Sequence, residues 1–360
     1  MTRSLSLYLN LLRFLAAVAV YFFHARHFAK AKIPFFGNLG GEAVIVFFVL
    51  SGMLITVAGT RQPDVGTFVQ ARLSRLWSVC LPALALTLLA DTAGQYISLA
   101  SYHPMQPYSA FKWFASIGIN SFFLNQIWDF NVFPGTNGPF WSLSYEFWYY
   151  MLFTAFFYFK GRKRILALAC AMIIAGPSIL MAFPIWLLGT ALYFAVNHNS
   201  AMRSAKGWVF WLGSFAVILA FSHFDLHHVL KDIFPEAAVT AKWDVNFLPK
   251  SYLIGIVVAA NIYGFALIGQ SFLAPLEKAS KVICFGADIS FGLYIFHYPL
   301  MSFSKAVLNS MGIMSGTFFI TAIYVVPFII SALLAIHCEK HKAVFSCIIQ
   351  RTASTIFRCH

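Results

Sequence analysis

Charge is what this sequence has least of. Asp, Glu, Lys and Arg make up 10% of its 360 residues, where a soluble domain carries about 25%. That shortage excludes a water-soluble globular enzyme. Acids are scarcer still, 12 against 25 Lys and Arg, for a net charge of +13. In a chain this apolar, a basic excess sets topology and is a poor sign of nucleic-acid binding, so no nucleic-acid partner is expected. The six cysteines, Cys80, Cys170, Cys284, Cys338, Cys347 and Cys359, show no CxxC or paired spacing. This argues against a disulfide framework and for reduced, structural thiols. There is no internal repeat and no low-complexity tract. The polar stretches 96–140 and 224–249 are too short to fold alone. His223, Asp225, His227 and His228 cluster in the second of these without an HExxH or comparable frame. They read as a solvated loop, and no metal is expected.

Apolar residues are abundant. Hydrophobic side chains make up 60% of the chain and aromatics 18%, with a mean hydropathy of +0.75. The fold class is therefore all-α, a polytopic membrane helix bundle. Apolar windows mark about ten spans: 10–29, 42–60, 75–95, 141–159, 164–180, 181–197, 207–223, 250–270, 286–308 and 315–337. The first has no small-residue cleavage site behind it and reads as a retained span. An eleventh window, 110–127, contains Lys112, Asn120, Asn125 and Gln126. Counting it as a span would put the basic run 160–164 outside, against the positive-inside rule. It is read as interfacial or re-entrant, within an external segment 96–140. With both termini cytoplasmic, sixteen Lys and Arg fall inside, seven outside, and Arg13 and Lys305 within spans. The chain reads as one domain, 1–360, with a membrane bundle over about 10–337 and a cytoplasmic tail over 338–360.

Polar residues inside apolar spans carry the functional signal. Arg13 and His24 are eleven residues apart in the first span. In a helix that is three turns plus about 20°, so they share a face, about 16 Å apart along the axis. Arg inside a lipid-facing helix is costly, so the pair fits a lined pathway, against the blander reading of a snorkelling Arg and an interfacial His. In the second span Ser51-Gly52 permits close approach by a helix backbone or a thin ligand. Arg72 and Arg75, three apart at the cytoplasmic mouth of the third span, suit phosphate, or else lipid headgroups. Glu146 is the lone charge from Trp141 to Phe159. Such a carboxylate faces a cavity or a partner, and His24 lies at its depth. His297 and Tyr294 share a face with Ser290. A core histidine bonded to a backbone carbonyl would also account for His297.

Together these motifs resemble the membrane acyltransferase-3 proteins of bacteria, which O-acylate carbohydrates. Arg13 and His24 match the family's R-x10-H signature, FFVLSG (47–52) its second-span motif, and Arg72 with Arg75 its basic pair. WSLSYE (141–146) matches WSLS-x-E, and SFGLYIFHYPL (290–300) resembles S-x-x-LY-x-x-H-x-P. Ile45 stands where the family often has an acid, and Glu339-Lys340-His341 lacks the family's Pro. The resemblance implies transfer of an acyl group, most simply acetyl, from cytoplasmic acyl-CoA to a hydroxyl of an extracytoplasmic glycan or glycolipid, across a bacterial inner membrane. His24, Arg13 and Glu146 would be catalytic. Arg72, Arg75, Ser51 and Gly52 would hold the acyl-CoA. His297, Tyr294, Trp141 and Ser144 would line the acceptor side. His24 would act as a base or carry the acyl group itself, with Glu146 orienting it. Tyr102, Tyr108, Trp113 and Trp128 are candidates for stacking on sugar rings. The rival class is a transporter or flippase of a lipid-linked glycan, using the same polar residues as a conduit.

Overall fold

The computed structural model describes all residues except 32–38, 103–108, 199–204, 225, 241–246 and 359–360. Lys32, Tyr108, Arg203, Asp225 and Lys242 therefore lie outside the described residues. The described residues contain helices and no strand. Seven helical segments are long and apolar enough to cross a membrane, so the chain is a multi-pass membrane protein. All ten apolar windows fall on helices. These are α1 (Arg3–Ala29), α2 (Gly40–Arg61), α3 (Val65–Ile97), α4 (Ala110–Ser121), α5 (Trp141–Tyr158), α6 (Gly161–Ala175), α7 (Pro177–His198) and α8 (Ala205–His223). Then follow the short α9 (Leu226–Ile233) and α10 (Pro235–Thr240), α11 (Leu248–Ile268), the short α12 (Leu273–Lys278), α13 (Ser280–Ser310) and α14 (Gly316–Arg358). Outward-facing Leu166, Ile173 and Leu333, each more than 60% exposed on its helix, give the apolar coat that a bilayer requires.

Several boundaries differ from the windows: α1, α3 and α13 start earlier, at Arg3, Val65 and Ser280. The break between the fifth and sixth windows falls earlier, at Gly176, where φ is +78° and Pro177 starts the next helix. A left-handed glycine followed by proline is a strong helix stop. The last helix also continues past the final window, through the tail to Arg358. The segment 110–127 is a helix of 12 residues followed by turns. At about 1.5 Å per residue it is about 18 Å long, too short to span. Its Phe111 and Phe114 are exposed while Ser116, Asn120, Asn125 and Gln126 are buried. That polarity suits a segment capping the protein at the membrane surface.

The chain divides into two compact units, with α1 and α13 each contributing a part to both. The first holds Met1–Ala16, Gly41–Arg61 and Pro177–Ala287. Here glycines set the helix spacing. A Cβ on Gly52 would sit 2.0 Å from the Trp186 carbonyl oxygen, and one on Gly189 2.0 Å from that of Val49, so α2 and α7 touch backbone to backbone. On α11, Gly264 lets Trp211 of α8 approach in the same way. A buried network ties three helices: the Tyr8 hydroxyl donates to Asn261 Oδ1 at 2.6 Å, Trp211 Nε1 donates to Tyr8 at 3.0 Å, and Asn261 Nδ2 donates to Ser214 at 2.8 Å. Lys250, fully buried, pairs with Glu42 at 3.3 Å. Removing one partner of such a pair would leave an uncompensated buried charge.

The second unit holds Ala17–Gly40, Gln62–Gly176 and Asp288–His360. It packs α14 on α3, α5 on α3 and α6, and the end of α1 on α13 and α14 through Ala29, Leu308, Phe319 and Ile323. Asp64 caps α3, its Oδ2 accepting from the Thr67 N–H at 2.6 Å and hydroxyl at 2.8 Å. Those bonds hold the Asp64 carboxyl below the usual carboxylate range. The cap's contribution is therefore complete at neutral pH and is lost as pH falls through that lowered value.

Candidate active site

The second unit brings two histidines together. His24 of α1 and His297 of α13 have ring centroids 5.2 Å apart. His297 is fully buried, with Nδ1 2.9 Å from the Leu293 carbonyl one turn back. A carbonyl only accepts, so Nδ1 carries the hydrogen and the lone pair is on Nε2. That Nε2 is buried and has no hydrogen-bond partner among the described residues. Tyr298 packs edge-on against His24 at 5.0 Å, and Tyr21 lies 5.7 Å from His297. The Tyr21 hydroxyl is occupied, donating to the Tyr324 carbonyl at 2.9 Å. The bond to Leu293 agrees with the core-histidine reading; the bare Nε2 goes beyond it.

The start of α5 joins α13 beside this pair. Tyr294 and Ser142 hydroxyls are 2.8 Å apart, and the Tyr294 hydroxyl also donates to the Pro139 carbonyl at 3.1 Å. Asn137 Nδ2 donates to the Ile295 carbonyl at 3.0 Å and to Thr87 Oγ1 at 3.2 Å. Behind it, the fully buried Asp91 accepts from the Thr136 N–H at 2.8 Å, the Thr136 hydroxyl at 2.7 Å and the Tyr102 hydroxyl. Burial and the Asp91 carboxylate push the Tyr102 hydroxyl's pKa up, so it remains a donor. Asp91, Thr136 and Asn137 had no place among the expected site residues.

The rest of the WSLSYE stretch grips the loop that follows α4. Phe123 has φ +57°, the left-handed region that a bulky side chain rarely occupies. Its carbonyl accepts from Ser144 Oγ at 2.6 Å and Trp148 Nε1 at 3.1 Å, and its ring stacks on Phe147 at 4.9 Å. Ser144 is thereby engaged with protein, and Trp141 is buried against Tyr145. Tyr102 and Trp113 are buried too. Trp128 is half exposed, with its indole N–H donated to Ile173 at 2.8 Å.

A second polar cluster lies between α3 and α5. The Tyr150 hydroxyl donates to Glu146, one turn away on α5. Arg72 and Arg75 stand in the electrostatic field of this pair. Arg72 stacks over the Phe68 ring at 5.6 Å, and its Nε is buried with no hydrogen-bond partner among the described residues. Because α3 starts at Val65, Arg72 and Arg75 lie about 10 and 15 Å along the helix. His297 and His27 both act electrostatically on His24.

Arg13, Ser51 and Gly52 belong to the first unit. Arg13 is half-buried on α1. Ser51 Oγ accepts from Trp186 Nε1 at 3.1 Å. The close approach that Gly52 allows is made by the α7 backbone. Among the described residues no group of three or more His, Cys, Asp or Glu is placed to hold a metal ion.

A pair of histidines on apolar helices and a half-buried arginine whose Nε has no partner among the described residues are groups suited to transfer chemistry. The sequence comparisons define the class. The family described as "Acyltransferase domain" matches residues 6–336, and the chain belongs to this acyltransferase-3 family. It is a membrane-bound acyltransferase. An O-acetyl transferase of Shigella phage Sf6 is 28% identical over 332 residues, covering 83% of this chain and 85% of the relative. No solved structure matches the chain. Acyl transfer onto a hydroxyl is the activity class that these two matches support.

Proposed function

We propose that the protein moves an acetyl group from cytoplasmic acyl-CoA to a hydroxyl of an extracytoplasmic glycan or glycolipid, in a bacterial inner membrane with both termini cytoplasmic. The observation that carries this reading is His24. It is half-buried, makes no hydrogen bond among the described residues, and sits in an apolar helix beside a second imidazole whose Nε2 has no partner among them. A neutral imidazole can remove a proton from a hydroxyl near neutral pH. The hydroxyl oxygen then bonds to the thioester carbonyl carbon and the carbon–sulfur bond breaks. The proton held by His24 passes to the departing thiolate, so the products are the ester and free CoA.

Arg72 and Arg75 bind the donor's phosphates. The buried Nε of Arg72 is the donor that an anion would satisfy. Glu146, held by Tyr150, keeps the two guanidiniums in place. Ser51 and Gly52, which hold α2 against α7, and Arg13 belong to the donor side of this reading. Tyr294, Ser142, Trp141, Ser144 and His297 form or brace the acceptor wall. Family membership and the O-acetyl transferase relative favour this reading over a flippase.

Mass spectrometry of surface glycans from cells with and without the chain tests the function. Loss of one acetyl group per glycan repeat is expected. Unchanged acylation with less glycan at the surface would instead point to transport. On the donor side, Arg72→Ala should raise the KM for acetyl-CoA about 10-fold or more with little change in kcat, as removal of uniform binding does. Initial rates of CoA release against acetyl-CoA concentration check it.

A further inference from the structure

From the geometry we infer that His297 is a positioning residue for the transfer reaction, its Nε2 accepting the second N–H of His24 as that ring takes up the hydroxyl proton. The inference rests on the proposed role of His24 and extends it.

The argument begins with an atom that lacks a partner. A buried acceptor without a hydrogen bond is costly, and native proteins leave few of them. His297 Nε2 is one, and the Nδ1 bond to Leu293 fixes it as the lone-pair nitrogen. Two of the hydroxyls around it are engaged elsewhere. Tyr21 donates to the α14 backbone, and Tyr294 shares its hydroxyl with Ser142 and Pro139. Tyr298 follows His297 directly on α13, and its ring packs edge-on against His24 and Phe28. His24 remains. Its ring is the nearest to His297 of the four aromatic rings around it, and it makes no hydrogen bond among the described residues.

The chemistry favours a neutral acceptor here. A base that becomes an imidazolium needs its other N–H satisfied, the task an aspartate performs in a serine-protease triad. In an apolar span a permanent carboxylate would be costly to hold beside a neutral imidazole. A second neutral imidazole costs less in the resting state, and the hydrogen bond it accepts from the His24 N–H becomes charge-assisted when His24 takes the proton. The interaction therefore strengthens toward the transition state, which is the kind that raises kcat. The other groups facing His24 offer no equivalent. His27 lies on the same helix and is exposed, and Phe23 carries no acceptor. Once the hydroxyl proton leaves with the CoA thiol, His24 is neutral again and the interaction loses its charge assistance.

The test uses the full-length protein in lipid nanodiscs, acetyl-CoA as donor and an alkyl glucoside as the hydroxyl probe, following CoA release. Glycan acetylation in cells is measured in parallel. His297→Phe should lower kcat about 10- to 100-fold with the acetyl-CoA KM unchanged. His297→Gln, whose amide oxygen can accept in place of Nε2, should recover most of the loss. Once His24 is alanine, adding His297→Phe should cost nothing further. A merely structural role predicts lost protein or a lower melting temperature, without rescue by Gln. Wild-type turnover in His297→Phe, or Gln as inactive as Phe, overturns the inference. If His24→Ala is as active as the wild type, the proposed function of His24 falls, and this inference with it. If His24→Ala is inactive while His297→Phe is not, the inference falls alone.

Discussion

His24→Ala abolishes transfer, with kcat lower by at least about 100- to 10,000-fold, the range that a general acid–base group supplies. The variant still inserts and melts near the wild-type temperature. His24 is half-buried and bonded to no other described residue, so truncation leaves no orphaned partner and only a small void. The loss should fall on kcat, with acetyl-CoA binding retained, because the groups proposed to hold the donor, Arg72 and Arg75, lie on α3. Equilibrium binding of acetyl-CoA to His24→Ala, measured beside turnover, checks that separation. Rapid quenching of the wild type with labelled acetyl-CoA and no acceptor distinguishes the two possible roles of His24. A labelled acyl-imidazole would make it a carrier. Its absence, with normal turnover once acceptor is added, would leave it the base.

The architecture was largely readable from the sequence because lipid demands long apolar helices and the windows show them. Segment 110–127 was readable for the same reason: Asn120, Asn125 and Gln126 had to face protein, and they do. What a linear pattern does not carry is which helix stands opposite a residue. Spacing placed Glu146 at the depth of His24, and depth suggested a pair. In the structure Glu146 holds Tyr150 near Arg72, and His297 takes the place beside His24. Gly52 shows the same limit: its small size was evident, but that the α7 backbone fills the space was not. Asp91 is a different case, because its signal was present. It is the one Asp, Glu, Lys or Arg between Arg75 and Lys112, and the logic that singled out Glu146 applies equally to it. The chain from Asp91 through Thr136 and Asn137 to Ile295 depends on a loop, and loop geometry leaves little periodic trace in sequence.

That chain makes Asp91→Ala the substitution with the largest expected effect on stability. The carboxylate is fully buried and accepts from three donors: the Tyr102 hydroxyl and the backbone and side chain of Thr136. Alanine leaves those donors in the interior without an acceptor, at about 1–3 kcal/mol each, for a total on the order of 3–5 kcal/mol once they partly relax. The damage should propagate in one direction. Thr136 precedes Asn137, which ties Thr87 of α3 to the Ile295 carbonyl of α13, and Pro139 two residues on accepts from Tyr294. A loosened loop therefore frees α13 two residues before His297. Asp91→Ala should lower Tm by several degrees in detergent and reduce transfer in the fraction that remains folded. Asp91→Asn keeps one acceptor oxygen but turns an NH2 toward donors, so it should fall between alanine and wild type. Asn137→Ala supplies the control for direction, since it leaves the Asp91 bonds intact and cuts the link to α13. It should cost less in Tm than Asp91→Ala and more in kcat per folded molecule than in Tm. Thermal melts and turnover on the same nanodisc preparations decide this. If Asn137→Ala turned over at the wild-type rate, the loop would be a staple for the fold and would have no hold on the histidine pair.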